Sequence, residues 1–509
     1  MTNLLAATVF LPIAGAALCL LAHGRSIVQR VISLGTVVAA LLVSVGVVAA
    51  VHNDGVVVAA LGGWPAPYGI VLVADMFSVL LLAVSLATVL GVLVFAIGQL
   101  EHEVEQRFFH PLYLVLTAGV SASFLTGDLF NLFVAFEMML IASYVLLALG
   151  GRSDSVRPAM TYVVVNLLAS TFFITAVALV YAATGSVNMA DLAGRIADLP
   201  MGLQVALSLL LLVVFGIKAA MFPLFFWLPD SYPTAPTAIT AVFAGLLTKI
   251  GVYAIIRTQT VLFGWGGDAP DPLVLFLAGA TMVVGVLGAV AQDDVKRILS
   301  FHIVSQIGYM IFGLGLYTVA GLAGATLFLV HQIPVKTSLF LVGGLVEKMT
   351  GTGQLSRVGG LARRTPVTAV LFMLGALSLA GLPPFSGFFG KLALVQAGLE
   401  AERFLIVGVS LAVSILTLFS MTKIWAGAFW GLPEEDPPFE QARGEGPLQA
   451  PRLMTGATIG VIALTLGIGL SAEPLWNLSV EAAQGLVDTS GYVEAVLGTE
   501  DVATAGSAP

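Results

Sequence analysis

Long apolar runs, each closed by a short polar stretch, recur fourteen times along the 509-residue chain. About 20 apolar residues in a helix cross the roughly 30 Å hydrocarbon core of a bilayer, so the pattern predicts about fourteen transmembrane helices. The expected spans are 4–22, 27–51, 74–98, 109–125, 128–149, 158–183, 203–227 and 236–262. They continue at 271–291, 298–317, 320–346, 366–397, 404–430 and 453–471. The expected fold class is an all-α polytopic membrane protein.

Two spans carry prolines where a helix should continue. One reads Lys218-Ala-Ala-Met-Phe-Pro-Leu-Phe-Phe-Trp-Leu-Pro-Asp230, the other Ser378-Leu-Ala-Gly-Leu-Pro-Pro-Phe-Ser-Gly-Phe-Phe-Gly-Lys391. Proline removes a backbone donor and clashes with the preceding turn, so helices 7 and 12 should break. Paired broken helices point to inverted repeats with an ion site near the midplane. Their offset of five spans is odd and reverses topology, which predicts two inverted five-helix repeats, helices 4–8 and 9–13. The chain then divides into 1–108 (helices 1–3 with a hairpin), 109–262 (first repeat), 271–430 (second repeat) and 431–509 (loop, last helix and tail).

Outside the spans little remains. Residues 52–73, with Trp64, Pro65 and Pro67 after a β-branched run, suggest a short external hairpin, and 188–199 an external surface helix. The 431–452 stretch reads as a flexible cytoplasmic connector. Residues 472–509 hold six acids and no Lys or Arg, which predicts an external tail, disordered beyond Gly498.

Composition agrees. The chain is 58% hydrophobic and 10% charged, with mean hydropathy +1.02, which excludes a soluble globular domain. A net charge of −8 without basic clusters argues against nucleic acid as a partner. Cys19 is the sole cysteine, so no intrachain disulfide, zinc or iron–sulfur site is expected. No cofactor and no metal site are expected either. The first segment lacks both a positive n-region and a small residue just before Cys19, and reads as a retained membrane helix. Alternate loops contain 13 Lys/Arg, against three on the opposite side. This asymmetry places both termini on the outer face of the membrane.

Five cations lie inside spans, and four of them, Lys218, Lys249, Lys336 and Lys391, lie far from helix ends. Each costs roughly 2.5–3.5 kcal/mol at a membrane helix centre, about 10–14 kcal/mol together. That rivals the net stability of a whole domain, so packing does not account for them and an ion path does. Glu137, nine residues into its span, is the natural partner of Lys218. His331 and Lys336 straddle Pro334, and histidine titrates near neutrality, which suits a relay between lysines. His302 is a candidate for a cytoplasmic proton entrance. Lys423, beside Trp425 and Trp430, reads as snorkelling. Ser143, Thr248, Ser305 and Gln306 are candidates for holding relay water, Asp75 and Asp230 for helix-end caps or loop ligands, and Lys296 and Arg297 for positive-inside anchors.

These residues stand in recognisable motifs. Phe215-Gly-Ile-Lys-Ala-Ala-Met-Phe-Pro-Leu, Trp227-Leu-Pro-Asp, Ala235-Pro-Thr, Gln292-Asp-Asp-Val-Lys-Arg-Ile-Leu-Ser and Ser305-Gln-Ile-Gly-Tyr resemble the proton-translocating antiporter-like subunits. That family comprises large subunits of Mrp-type cation/proton antiporters and membrane subunits of respiratory complex I. The resemblance runs from about residue 70 to 430. Leu129-Phe-Asn-Leu-Phe-Val-Ala-Phe-Glu-Met-Met-Leu-Ile-Ala-Ser-Tyr and Ser300-Phe-His-Ile-Val-Ser-Gln-Ile-Gly-Tyr look like the D-type versions in Mrp antiporters.

The resemblance implies a Glu–Lys pair, Glu137–Lys218, followed by a relay through Lys249, His331 and Lys336 to Lys391. It implies a multisubunit Na+(K+)/H+ antiporter in a bacterial or archaeal plasma membrane, with no enzymatic reaction of its own. The expected partners are the A-type subunit, small membrane subunits, protons and Na+, K+ or Li+. Three other readings stand beside it: a complex I subunit driven by quinone reduction, a scaffold whose lysines only pair structurally, and a self-sufficient organic-solute carrier.

Overall fold

The computed structural model describes residues 2–101, 105, 108–149, 156–264, 271–443 and 446–498. Expectations for the tail beyond Gly498 fall outside these residues. The described chain is helical apart from its loops and one hairpin, in which β1 (Val57–Ala60) pairs antiparallel with β2 (Val71–Ala74), Val57 opposite Ala74.

Among the described residues, twelve helices are long and apolar enough to cross a membrane. The helices are α1 (Thr2–Leu21), α2 (Ser26–Asp54), α3 (Met76–Gln99), α4 (Phe109–Leu125), α5 (Leu129–Ala148), α6 (Val156–Thr184), the short α7 (Met189–Ala197) and α8 (Met201–Ala219). A break and the one-turn α9 (Trp227–Ser231) lead to α10 (Thr237–Val261), α11 (Pro272–Val290), α12 (Val295–Leu316) and α13 (Val319–Thr350). A second interrupted pair, α14 (Pro366–Ala380) and α15 (Ser386–Glu400), precedes α16 (Phe404–Trp430) and α17 (Arg452–Leu470). Each of the fourteen expected spans falls on one of these helices or on a broken pair. The fourth span (α4) and the first half of the twelfth (α14) are apolar but shorter than the other twelve.

Both proline breaks lie where the sequence predicts. α8 closes on Ala220 in the left-handed region (φ 60°, ψ 48°), and α14 closes on Gly381 at φ 85°. The hydrogen-bonding groups freed by the first break find new partners: Trp227 Nε1 donates to the Ile217 carbonyl at 3.1 Å, and Phe222 N donates to Thr281 Oγ1 at 3.1 Å.

Polarity is arranged inside out. α10, α12 and α13, which carry Lys249, His302, His331 and Lys336, are buried along most of their length. The exposed residues of α1, α2, α6 and α16 are mostly apolar, among them Phe10, Leu42, Val164 and Ile415, as suits a lipid environment.

Ionic clamps tie the ends of the helices. Asp75 caps α3 as expected, accepting from Ser78 N, and also receives both arms of Arg257 at 2.5 and 2.7 Å. The Arg257 guanidinium lies over the rings of Phe77, Tyr253 and Tyr492. Lys296, expected from sequence to be a positive-inside anchor, is buried and bonded to Glu347 at 2.5 Å. Lys423 snorkels as expected, reaching Asp293 at 2.7 Å and the Gln292 carbonyl at 2.7 Å. Residues 472–498, expected to be tail, fold into α18 (Ala472–Val487) and α19 (Ser490–Leu497), which bury Ala482, Ala483, Leu486 and Tyr492.

Between α3 and α4, Glu105 is buried against Arg30, which holds it at 2.6 and 2.5 Å, and against His110 Nε2 at 2.9 Å. Burial pushes the Glu105 carboxyl up, but the hydrogen bonds from Arg30 and His110 outweigh it and hold the group at about 2, against an ordinary 4.5. A depressed carboxyl stabilises fully above its unfolded value and loses that contribution as pH falls toward its folded value. Arg30→Ala is therefore expected to lower the melting temperature of the solubilised protein at pH 7, with the difference from wild type shrinking between about pH 4.5 and 2. A pH-independent difference would rule the linkage out.

Candidate functional site

Glu137 stands two turns into α5, and α6 runs beside it. Ser170 of α6 donates a short hydrogen bond to Glu137 Oε1. The same hydroxyl accepts from Lys218 Nζ at 2.9 Å, and Lys218 also donates to the Asn166 carbonyl at 3.2 Å. Lys218 is 4% exposed, in the last turn of α8 before the break. Carboxylate and ammonium thus meet through one hydroxyl rather than in a direct salt bridge. Because Ser170 has a single proton, donating to Glu137 leaves its lone pairs for Lys218.

Lys249 lies just after a π-helical segment, Phe243–Leu247, inside α10. A π-turn displaces backbone carbonyls from their usual partners, and the Lys249 ammonium bonds one of them, the Ala244 carbonyl. α10 meets the first break at Gly251. A Cβ there would lie 2.6 Å from Ala219 N and 2.9 Å from the Lys218 carbonyl carbon, so only glycine lets the two lysine-bearing segments approach so closely.

The π segment also packs on α13, where Thr337 sits against Gly245. The neighbouring Lys336 is fully buried, and its ammonium has no hydrogen-bond partner among the described residues. It lies within electrostatic reach of both Lys249 and Lys391. One turn earlier, His331 Nδ1 pairs with Ser386 Oγ at 2.7 Å, which in turn meets Ser378 Oγ at 3.1 Å. His331 therefore sits on the second break, its ring against Gly387.

Lys391 reaches back across that break to the Leu379 and Ala380 carbonyls at 3.2 and 3.0 Å. These are the open carbonyls at the negative end of half-helix α14. Its ammonium also lies 5.0 Å from the Tyr309 ring centroid. A cavity of about 250 Å³ opens beside it, lined by Tyr309, Ser410, Ser414 and Leu411 among others. Lys218 precedes its break, whereas Lys391 follows its own. His302 Nε2 pairs with Ser420 Oγ at 2.9 Å, within electrostatic reach of Lys336 and Lys391.

The seven titratable residues selected from sequence therefore form a row of pairwise links that threads both breaks, with the Lys218–Lys249 joint made by backbone packing. A family model described as NADH:quinone oxidoreductase/Mrp antiporter, a membrane family, matches residues 126–417, which span both breaks. The chain belongs to this family. Its relatives include the D-type subunit of the Na+/H+ antiporter of Alkalihalophilus pseudofirmus, 47% identical and aligned over 98% of this chain and all of that protein. A chain in the structure of the Mrp complex from Dietzia sp. DQ12-45-1b superposes with TM-score 0.89 at 36% identity, covering 98% of this chain and all of that one. A chain of the membrane-bound sulfane sulfur reductase, an archaeal respiratory membrane complex, superposes with TM-score 0.87 at 25% identity, covering 97% and 99%.

Within this family member, Ser170, Ser386, Tyr309 and the Gln306–Gln332 pair, at 3.3 Å, make contacts that sequence reasoning misses or ranks low. One signal for Ser170 exists. Tyr162, Asn166 and Ser170 recur every four residues, a polar stripe on one face of the helix.

Proposed function

We infer that the chain is a proton-translocating subunit of an Mrp-type Na+(K+)/H+ antiporter, a secondary transporter rather than an enzyme. It works with an A-type subunit and small membrane subunits in a bacterial or archaeal plasma membrane. The two termini lie outside, and units 109–262 and 271–430 act as inverted halves, each with one broken helix. The observation that carries the reading is the Glu137–Ser170–Lys218 bridge. The 47% identity to a D-type antiporter subunit favours cation exchange over a redox-driven pump.

The chemistry is a paired proton shift. Lys218 passes a proton to the Ser170 oxygen while Ser170 releases its own to Glu137, so ammonium and carboxylate become amine and carboxylic acid. No charge is left unbalanced in the low-dielectric interior, where an isolated ion is costly. Movement of either helix breaks the bridge and fixes the proton on one side. When the bridge re-forms, Glu137 returns the proton through Ser170 to Lys218, and the Lys218 ammonium passes it to Lys249, then through Lys336 and His331 to Lys391. Unpartnered polar atoms on Lys336, His331, His302, Gln306 and Gln332 line this stretch. Each such atom costs about 1–3 kcal/mol in a static core, and a proton relay gives them a use. His302 serves the entrance in this second half.

The test uses the assembled complex in everted vesicles, where added Na+ collapses a preformed pH gradient. Ser170→Ala is expected to slow exchange about tenfold, the effect of losing one charge-linked hydrogen bond. Ser170→Thr, which keeps the hydroxyl, should restore it. Wild-type exchange by Ser170→Ala would remove the bridge from the mechanism.

A further inference from the structure

The α5–α6 seam holds a second polar rung. Ser143 Oγ of α5 pairs with Tyr162 OH of α6 at 2.7 Å, just as Glu137 pairs with Ser170. The spacing is six residues on one helix and eight on the other, about 9–12 Å for antiparallel neighbours. Around this rung stand two more tyrosines. The Tyr144 ring lies 5.5 Å from that of Tyr162, and the Tyr232 ring 6.4 Å from it. The hydroxyls of both Tyr144 and Tyr232 are buried and have no hydrogen-bond partner among the described residues. Tyr144 follows Glu137 by seven residues, two turns along the same face, and lies within its electrostatic reach.

The segment that carries Tyr232 reaches the surface. Tyr232 is fully buried, yet Asp230, two residues earlier, is exposed and pairs with exposed Arg297 at 2.9 Å. Tyr232, Tyr162 with Ser143, and Tyr144 thus form a row of ring contacts, with exposed Asp230 two residues from one end and Glu137 within electrostatic reach of the other. Packing alone would be served by phenylalanine. Tyr162 already stacks among Trp227 and Phe243, and an unpaired buried hydroxyl costs about 1–3 kcal/mol. A polar space between hydroxyls with two or more partners in reach is where a bridging water is stable.

We propose that Tyr232, Tyr162–Ser143 and Tyr144 form a hydroxyl-lined route that carries protons between Glu137 and the aqueous surface at Asp230. Each hydroxyl accepts a proton on its oxygen and releases its own to the next acceptor, directly or through one water. Only O–H bonds are exchanged, and nothing is oxidised. The route rests on Glu137 being a proton carrier and extends it by naming where that carrier is loaded. These tyrosines and Ser143 are positioning residues for protons, distinct from the Glu137–Ser170–Lys218 bridge itself.

The experiment compares Tyr144→Phe, Tyr232→Phe and Glu137→Gln in the intact complex, measuring Na+/H+ exchange in everted vesicles from pH 6 to 9. Affinity purification checks assembly. Phenylalanine keeps the ring, so each tyrosine variant should assemble. Exchange should fall about tenfold, and the proton concentration for half-maximal rate should rise while that for Na+ stays unchanged. Wild-type rate and pH profile in both tyrosine variants, with Glu137→Gln inactive, would overturn the route and leave the Glu137 reading intact. A slower rate without any change in pH profile would assign the tyrosines to packing and also overturn it. Full activity in Glu137→Gln would remove the carrier, and the route with it.

Discussion

Glu137→Gln leaves the antiporter complex assembled and slows proton-coupled cation exchange at least about a hundredfold, the usual scale for losing a proton-transferring group. Glutamine keeps the size and hydrogen-bonding capacity of glutamate, so Ser170 retains an acceptor and α5 its packing. It lacks a carboxylate to take the proton. Lys218 then faces a neutral partner, and its proton has no exit through Ser170. Lys218→Met gives the same loss from the other side. The double variant should be no worse than either single change, because groups acting as one unit are not additive. Additive losses would mean that the two residues work separately. Unimpaired exchange in Glu137→Gln, with the complex intact, would falsify the mechanism.

The parts of this site legible in the sequence are those that are expensive in a membrane. A mid-span lysine or glutamate stands out because it costs several kcal/mol in lipid, and a proline stands out because it breaks the hydrogen-bond ladder. Glu137, Lys218, Lys249, Lys336, Lys391 and both breaks are found that way. Serine costs little in a membrane helix and also serves as ordinary packing glue, so Ser170 and Ser386 give no comparable signal. Nor does the π segment at Phe243–Leu247, which packs on α13 with Gly245 against Thr337. The ion pair of Lys296 is not legible because its partner, Glu347, sits more than fifty residues away at the end of another helix. The acid-rich segment after Ser471 resembles tail. Its apolar residues, Ala482, Ala483, Leu486 and Tyr492, are spaced to cover the bundle, and periodicity that sparse is easily missed.

Lys336 offers the sharpest separation of stability from transport. Its ammonium is fully buried, has no hydrogen-bond partner among the described residues, and is placed near two further lysines. On stability grounds alone such a residue is a defect, costing roughly 2.5–3.5 kcal/mol on insertion scales. Lys336→Met replaces it with an apolar chain of similar length. The variant complex should therefore be as thermally stable as wild type or more so, by up to about 3 kcal/mol. Its exchange should nevertheless fall about a hundredfold or more, because the titratable group in reach of both Lys249 and Lys391 is gone. A structural role for Lys336 requires the two readouts to fall together. Opposite signs, measured as melting temperature of the purified complex against gradient-driven Na+/H+ exchange, follow only if the chain keeps a destabilising cation at its centre in order to move protons. Loss of stability in parallel with activity would return Lys336 to the scaffold, and the relay would then have to bridge Lys249 and Lys391 through His331 and His302.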